Sequence, residues 1–193
     1  MQAILDIWLD GGLIMLPLFV LAVLLYAQAF GLVMYIRHLD LSKKHELEWW
    51  GWVREPSRAQ GRVAEIIRYS QTDVSSAKQV RNRFDEMRLA LVSMVDRQQR
   101  FLGMLVSAAP LLGLLGTVFG MLQTFLGIAT SGGTETAGAV ASGISEALVT
   151  TQTGLTIALP GLFIVMVIQR QKHGLEARLA RLENLTLTHL KFE

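Results

Sequence analysis

Residues 101–129 read FLGMLVSAAPLLGLLGTVFGMLQTFLGIA, and residues 143–168 read GISEALVTTQTGLTIALPGLFIVMVI. Neither stretch contains Lys or Arg, and each exceeds the about 20 residues that a helix needs to cross the hydrocarbon core of a bilayer. Residues 12–36 form a third stretch of the same kind. With 51% hydrophobic residues in a chain of 193, the composition falls in the membrane class. The fold class expected is therefore an all-α membrane protein with three transmembrane helices.

The 18 Lys and Arg residues orient the spans, because cationic side chains are retained on the cytoplasmic side. They fall between Arg37 and Arg100 and between Arg170 and Lys191, and residues 1–36 and 130–142 hold none. The expected order is a periplasmic N-terminus and first transmembrane helix over 1–36, then a cytoplasmic helical domain over 37–100. A second transmembrane helix over 101–129, a periplasmic connector over 130–142, a third over 143–168 and a cytoplasmic C-terminal helix over 169–193 complete it. Met1–Gly12 carries Asp6 and Asp10 and no cation, unlike a cleavable signal peptide, so the first span is expected to stay in the mature protein.

Span one is apolar nearly all round, with Tyr26 and Gln28 as its main polar interruptions, which suits a helix facing lipid. Between spans one and two, Trp49, Trp50 and Trp52 precede a break at Pro56 and read as packing or anchoring at the membrane boundary. From Ser76, Val80, Phe84, Met87, Leu91, Met94, Gln98 and Phe101 recur in steps of four and three on one face. No Gly or Pro interrupts 76–102, so this helix is expected to run straight into span two and project below the membrane. In the tail, Leu175, Leu179, Leu182 and Leu185 mark an amphipathic helix that packs on the cytoplasmic segment.

Span two carries Gly116 and Gly120 at the spacing that lets helix backbones approach closely, and Pro110 permits a kink. Span three has a polar first half, with Glu146, Thr150, Thr151, Gln152, Thr153 and Thr156. Lipid cannot satisfy such groups, so this helix should line a protein interior or a watered path. Glu146, Thr150 and Thr153 share one face, beside a small-residue face of Ala147, Thr151, Gly154 and Ala158. Glu146 is the only ionisable side chain inside a span. It lines a path, or it sits near the outer helix end where the dipole and interfacial water favour a carboxylate. The threonine hydroxyls bond back to their own helix, carry a water chain, or offer oxygens to a hard cation.

Enzyme chemistry has no residue set to stand on. There is no HExxH, GxSxG or GxxxxGK[ST], and His38, His45, His173 and His189 lack acidic partners at useful spacing. With no cysteine there is no thiolate metal site, and no metal or cofactor is expected. The net charge of +2 hides a segregation that reports topology and not nucleic-acid binding.

The run Pro110-Leu-Leu-Gly113-Leu-Leu-Gly116-Thr117-Val-Phe-Gly120-Met, with Glu146-Ala-Leu-Val-Thr150-Thr151 through Gly154 to Ala158-Leu-Pro160, resembles the ExbB, TolQ and MotA family of ion-driven motor channels. The resemblance implies a bacterial inner-membrane, multi-pass subunit that assembles as a homopentamer in the lipid bilayer. Spans two and three would line a pore holding the single transmembrane helices of a small ExbD-like or TolR-like partner with an essential intramembrane Asp. Ion passage would send work to a periplasmic or outer-membrane partner, a TonB-like protein among them. By position, Thr117 and Thr151 match the family's pore-lining threonines and Glu146 its span-three glutamate, with Thr150 and Thr153 beside them. Pro110, Gly113, Gly116, Gly120, Gly154 and Pro160 are the helix-packing positions. A flagellar stator subunit would have a further span, so the ExbB and TolQ branch is favoured. The implied ion is the proton, with sodium as the alternative, held by Thr150, Thr151 and Thr117. A membrane scaffold or assembly helper whose polar strip only joins helices is the competing class.

Overall fold

The computed structural model describes residues 11–38, 48–59, 61–72, 74–130 and 136–190. Asp6, Asp10 and Glu135, which bear on the orientation expected from sequence, lie outside them, as does His45. Every regular element among the described residues is an α-helix: α1 Met15–His38, α2 Trp49–Arg54, α3 Gly61–Gln71, α4 Ala77–Thr130 and α5 Thr136–His189. Three of these, α1, α4 and α5, are long and apolar enough to cross a membrane. As the absence of breakers over 76–102 requires, α4 is one continuous helix of 54 residues, and α5 is another. Pro110 and Pro160 lie inside them.

The start of α5 corrects the boundary drawn from sequence, because residues 136–142 are helix and not connector. Thr136, Ala137, Ala139 and Ala141 are competent helix residues, and the Gly and Thr content of the segment overstated its turn character.

The chain divides into two compact units. The first, Met1–Phe30 with Arg100–Val165, contains the apolar parts of α1, α4 and α5. On α1 only one stripe is buried, running through Ile14, Met15, Leu18, Leu21, Leu25 and Ala29, while Leu16, Phe19, Val20, Val23 and Leu24 are exposed. Uniform apolarity conceals this stripe from sequence, since lipid and helix neighbours accept the same side chains. The stripe's first residues, Ile14, Met15 and Leu18, pack with Leu112, Val149 and Ile157. Tyr26 donates its hydroxyl to Ile157 O at 3.1 Å. Three helices meet at Gly161, where an added Cβ would stand 2.9 Å from Val106 Cγ2 and 3.4 Å from Leu25 Cδ2.

The second unit, Gly31–Gln99 with Met166–Glu193, has an aqueous-type core. Trp49, Val53, Val63, Ile67, Val80, Phe84 and Val92 are buried there with Leu175, Leu179 and Leu182 of α5. Each large side chain so removed from water contributes about 1.5–3 kcal/mol. The leucine repeat of the tail does pack on the segment before span two. Of the Trp cluster, Trp49 is fully buried, Trp52 packs against the core and Trp50 is exposed. Charges frame this core: Arg88 pairs with Glu183 at 3.2 Å, and Lys172 pairs with Asp96 at 2.5 Å. The hydrogen bond to Asp96 holds the Lys172 ammonium above the usual lysine range.

The buried face of α4 departs from the stripe expected from sequence. Met94 and Phe101 are about half exposed, whereas Val92, Val95, Leu102, Val106 and Ala109 are buried. The true face takes successive steps of four from Val80 through Phe84 and Arg88 to Val92. Strict alternation of four and three averages 3.5 residues and falls behind a helix of about 3.6 per turn.

Candidate functional site

Small residues bring α4 and α5 together in antiparallel register. A Cβ on Gly154 would stand 2.6 Å from Ala109 O, and one on Gly113 would stand 3.0 Å from Thr150 O and 3.1 Å from Thr151 Cα. One on Gly116 would collide with the Thr150 side chain, one on Gly120 would reach Gly143 O at 2.5 Å, and one on Gly127 would reach Ala139 Cβ at 2.7 Å. The contact therefore extends over most of the apolar length of both helices. In lipid, where burial supplies no driving force between helices, close backbone approach of this kind is the main attraction.

The polar residues lie within and beside this seam. Thr150 is fully buried against Gly116, and its hydroxyl donates to Glu146 O and Ala147 O, both at 3.0 Å. Thr151 shares its proton between Ala147 O at 3.1 Å and, across the seam, Gly113 O at 3.3 Å. Thr124 is buried beside Gly143 and donates to Gly120 O at 2.9 Å. Thr117 donates to Leu114 O at 2.7 Å and Thr153 to Val149 O at 2.8 Å. Each of these hydroxyls spends its proton on a helix carbonyl. What remains on each oxygen is acceptor capacity, suited to water, hydronium or a cation.

Glu146 is 7% exposed and lies against Gly12, just before α1. Because α5 starts at Thr136, Glu146 stands about three turns beyond the helix end, outside the first turn to which the dipole's pull is confined. Its burial is thus not explained by the helix N-terminus.

The structure brings Thr150, Thr151, Gly113, Gly116 and Gly154 into one packed set. It places Thr117 and Thr153 with their hydroxyls bonded on their own helices, apart from that set. Sequence reasoning passed over the Thr124 and Gly143 contact, which continues the steps of four from Gly116 and Gly120. It also passed over Gly12 and Gly161, for which no local pattern stands in the sequence. A further feature is outward-facing: Ser145, Gln152 and Thr156 are exposed on the apolar part of α5, and Gln123 is exposed on α4. Around them Leu148, Leu155, Leu159, Leu122 and Phe119 are exposed as well.

The model of the MotA/TolQ/ExbB proton channel family matches residues 58–181. Among similar proteins, the putative biopolymer transport protein ExbB-like 1 of Synechocystis sp. is 28% identical over 194 residues, covering 86% of this chain and 70% of that protein. The biopolymer transport protein ExbB of Salmonella typhimurium is 38% identical over 95 residues, 49% of this chain and 38% of its own length. The Tol-Pal system protein TolQ of Pseudomonas aeruginosa is 45% identical over 60 residues, 31% of this chain and 26% of that protein. The chain thus spans less than half the length of the last two relatives. With the family model covering well over half of its residues, the chain belongs to the MotA/TolQ/ExbB proton channel family.

Proposed function

We propose that this chain is the ring-forming subunit of a bacterial inner-membrane channel that couples ion flow to mechanical work on a periplasmic or outer-membrane partner. The observation that carries the reading is the exposed polar stripe of Ser145, Gln152 and Thr156 among the exposed Leu148, Leu155 and Leu159 of α5. Thr156 spends its proton on Gln152 O at 2.8 Å, but lipid cannot satisfy the Gln152 amide, so that side of α5 meets water or another polar surface. Neighbouring copies and a single-span partner with an intramembrane Asp, of the ExbD or TolR kind, complete the path. A TonB-like protein receives the work.

The translocated ion in this reading is the proton. A proton needs a carboxylate and a chain of hydrogen-bonding oxygens, and Glu146 with the threonine hydroxyls provides both chemistries. Sodium needs several oxygens at close range, and the burial of Thr150 against Gly116 favours the proton over a cage built on that residue. The test is to reconstitute the chain with its co-purifying single-span partner in liposomes and follow an internal pH dye under an imposed potential. Proton entry that is independent of sodium and lost without the partner supports the reading. Tight liposomes under every condition would instead favour a scaffold whose hydroxyls serve only their own helices. Proton entry that depends on sodium would reassign the ion.

A further inference from the structure

Gly11 and Gly12 stand directly before α1, and the Cβ position of each is already occupied. On Gly11 a Cβ would meet the Met15 side chain and lie 3.2 Å from Val149 Cγ1. On Gly12 it would run into the Glu146 carboxylate, with Glu146 Cγ 3.2 Å away. Gly12 also has φ +61°, in the left-handed region that L side chains rarely adopt. The segment is tied down on its C-terminal side: Met15 N–H donates to Gly12 O at 3.2 Å, and Ile14, Met15 and Leu18 pack with Leu112, Val149 and Ile157. The backbone at Gly12 is thereby held against the side chain of Glu146, which is 7% exposed.

We propose that Gly12 is a positioning residue for Glu146, its bare backbone forming the seat that fixes the carboxylate and limits its contact with water. The seat comes from the same chain, so each subunit carries its own. Two demands coincide at this position, since the backbone must turn left-handed and the space beyond Cα must stay empty for the carboxylate. Glycine alone meets both. The consequence for ion transfer rests on the channel reading above, because a carboxylate exchanges protons through the water it can reach.

The experiment uses the purified chain and measures the rate at which a water-soluble carbodiimide with glycine amide as the trapping amine converts the Glu146 carboxyl to an amide, read by mass spectrometry. Gly12→Ala and Gly12→Asn both add a Cβ, but Asn tolerates a left-handed backbone. Both variants should raise the labelling rate several-fold, whereas Gly31→Ala, where an added Cβ meets nothing within 4 Å, should match wild type. Wild-type labelling in both Gly12 variants would overturn the proposal, and so would a rise in Gly12→Ala alone, since strain and not contact would then be the cause. If the Gly12 variants fail to fold, combining Gly12→Ala with Glu146→Asp withdraws the carboxylate by one methylene. Recovered folding would support the seat, and continued misfolding would overturn it. Liposome flux in the same variants keeps the two proposals apart, because absent flux in wild type counts against the channel reading while the labelling still decides the seat.

Discussion

Thr150 and Thr151 are neighbours on α5 with different employment. Thr150 is sealed between Gly116 and its own helix, whereas Thr151 reaches across the seam to Gly113 O. Replacing Thr151 by Val keeps the volume and removes that crossing bond, which in membrane helices is worth about 0.6 kcal/mol. Thr117→Val removes a bond within one helix, to Leu114 O, at a cost that is smaller still. Both variants should therefore assemble at wild-type size on native gels while lowering ion-driven activity, because each loses an oxygen that can accept from water. Undiminished flux in the two would mean that the hydroxyls serve the backbone alone. Thr150 stood out in the sequence because a run of hydroxyls in an apolar helix is rare, but which hydroxyl turned inward depended on where Gly116 fell on the facing helix.

At the level of whole helices, composition made the spans visible and hid how they meet. Apolar stretches of sufficient length without Lys or Arg identify α1, α4 and α5, since a bilayer admits few alternatives. The register between them was half legible. Gly116 and Gly120 marked the contacting face, yet Gly143 and Gly127 gave no sign of their roles until Thr124 and Ala139 were found opposite. The buried line of α4 moved one residue away from the expected stripe after Phe84, because Arg88 occupies a position facing Glu183 that a search for apolar residues skips. The short α2 and α3 lacked the length for a clear period and emerged only through the core they build around Trp49 and Ile67. Since the seam holds by backbone proximity, Gly116→Leu or Gly120→Leu should separate α4 from α5. The expected outcome is loss of the assembled species on native gels and faster proteolysis in detergent. Wild-type assembly in both would show that this contact contributes little.

For the molecule as a whole, the segregation of Lys and Arg gives the orientation its test. A reporter fused at Gly133 should be active on the periplasmic side, and one fused after residue 190 on the cytoplasmic side; a cytoplasmic signal at Gly133 would reverse the topology. The two compact units differ in what holds them, close glycine contacts in one and a water-driven core in the other, so detergent and denaturant should not act on them alike. The placement of the indoles bears on how such measurements are read. Of the four tryptophans in the chain, three sit together on or beside the core of the charged unit: Trp49 fully buried, Trp52 partly so and Trp50 exposed. The apolar unit has none among its described residues. The fourth, Trp8, lies outside the described residues, so it is in a Trp8→Phe chain that intrinsic fluorescence becomes a gauge of the charged unit, with a blue-shifted component from Trp49 and a quenchable one from Trp50. In that Trp8→Phe chain, an emission spectrum that does not change on adding a protonophore, a partner or a seam mutation is silent about the helices that would carry ions, and an optical probe meant to watch them has to be introduced there.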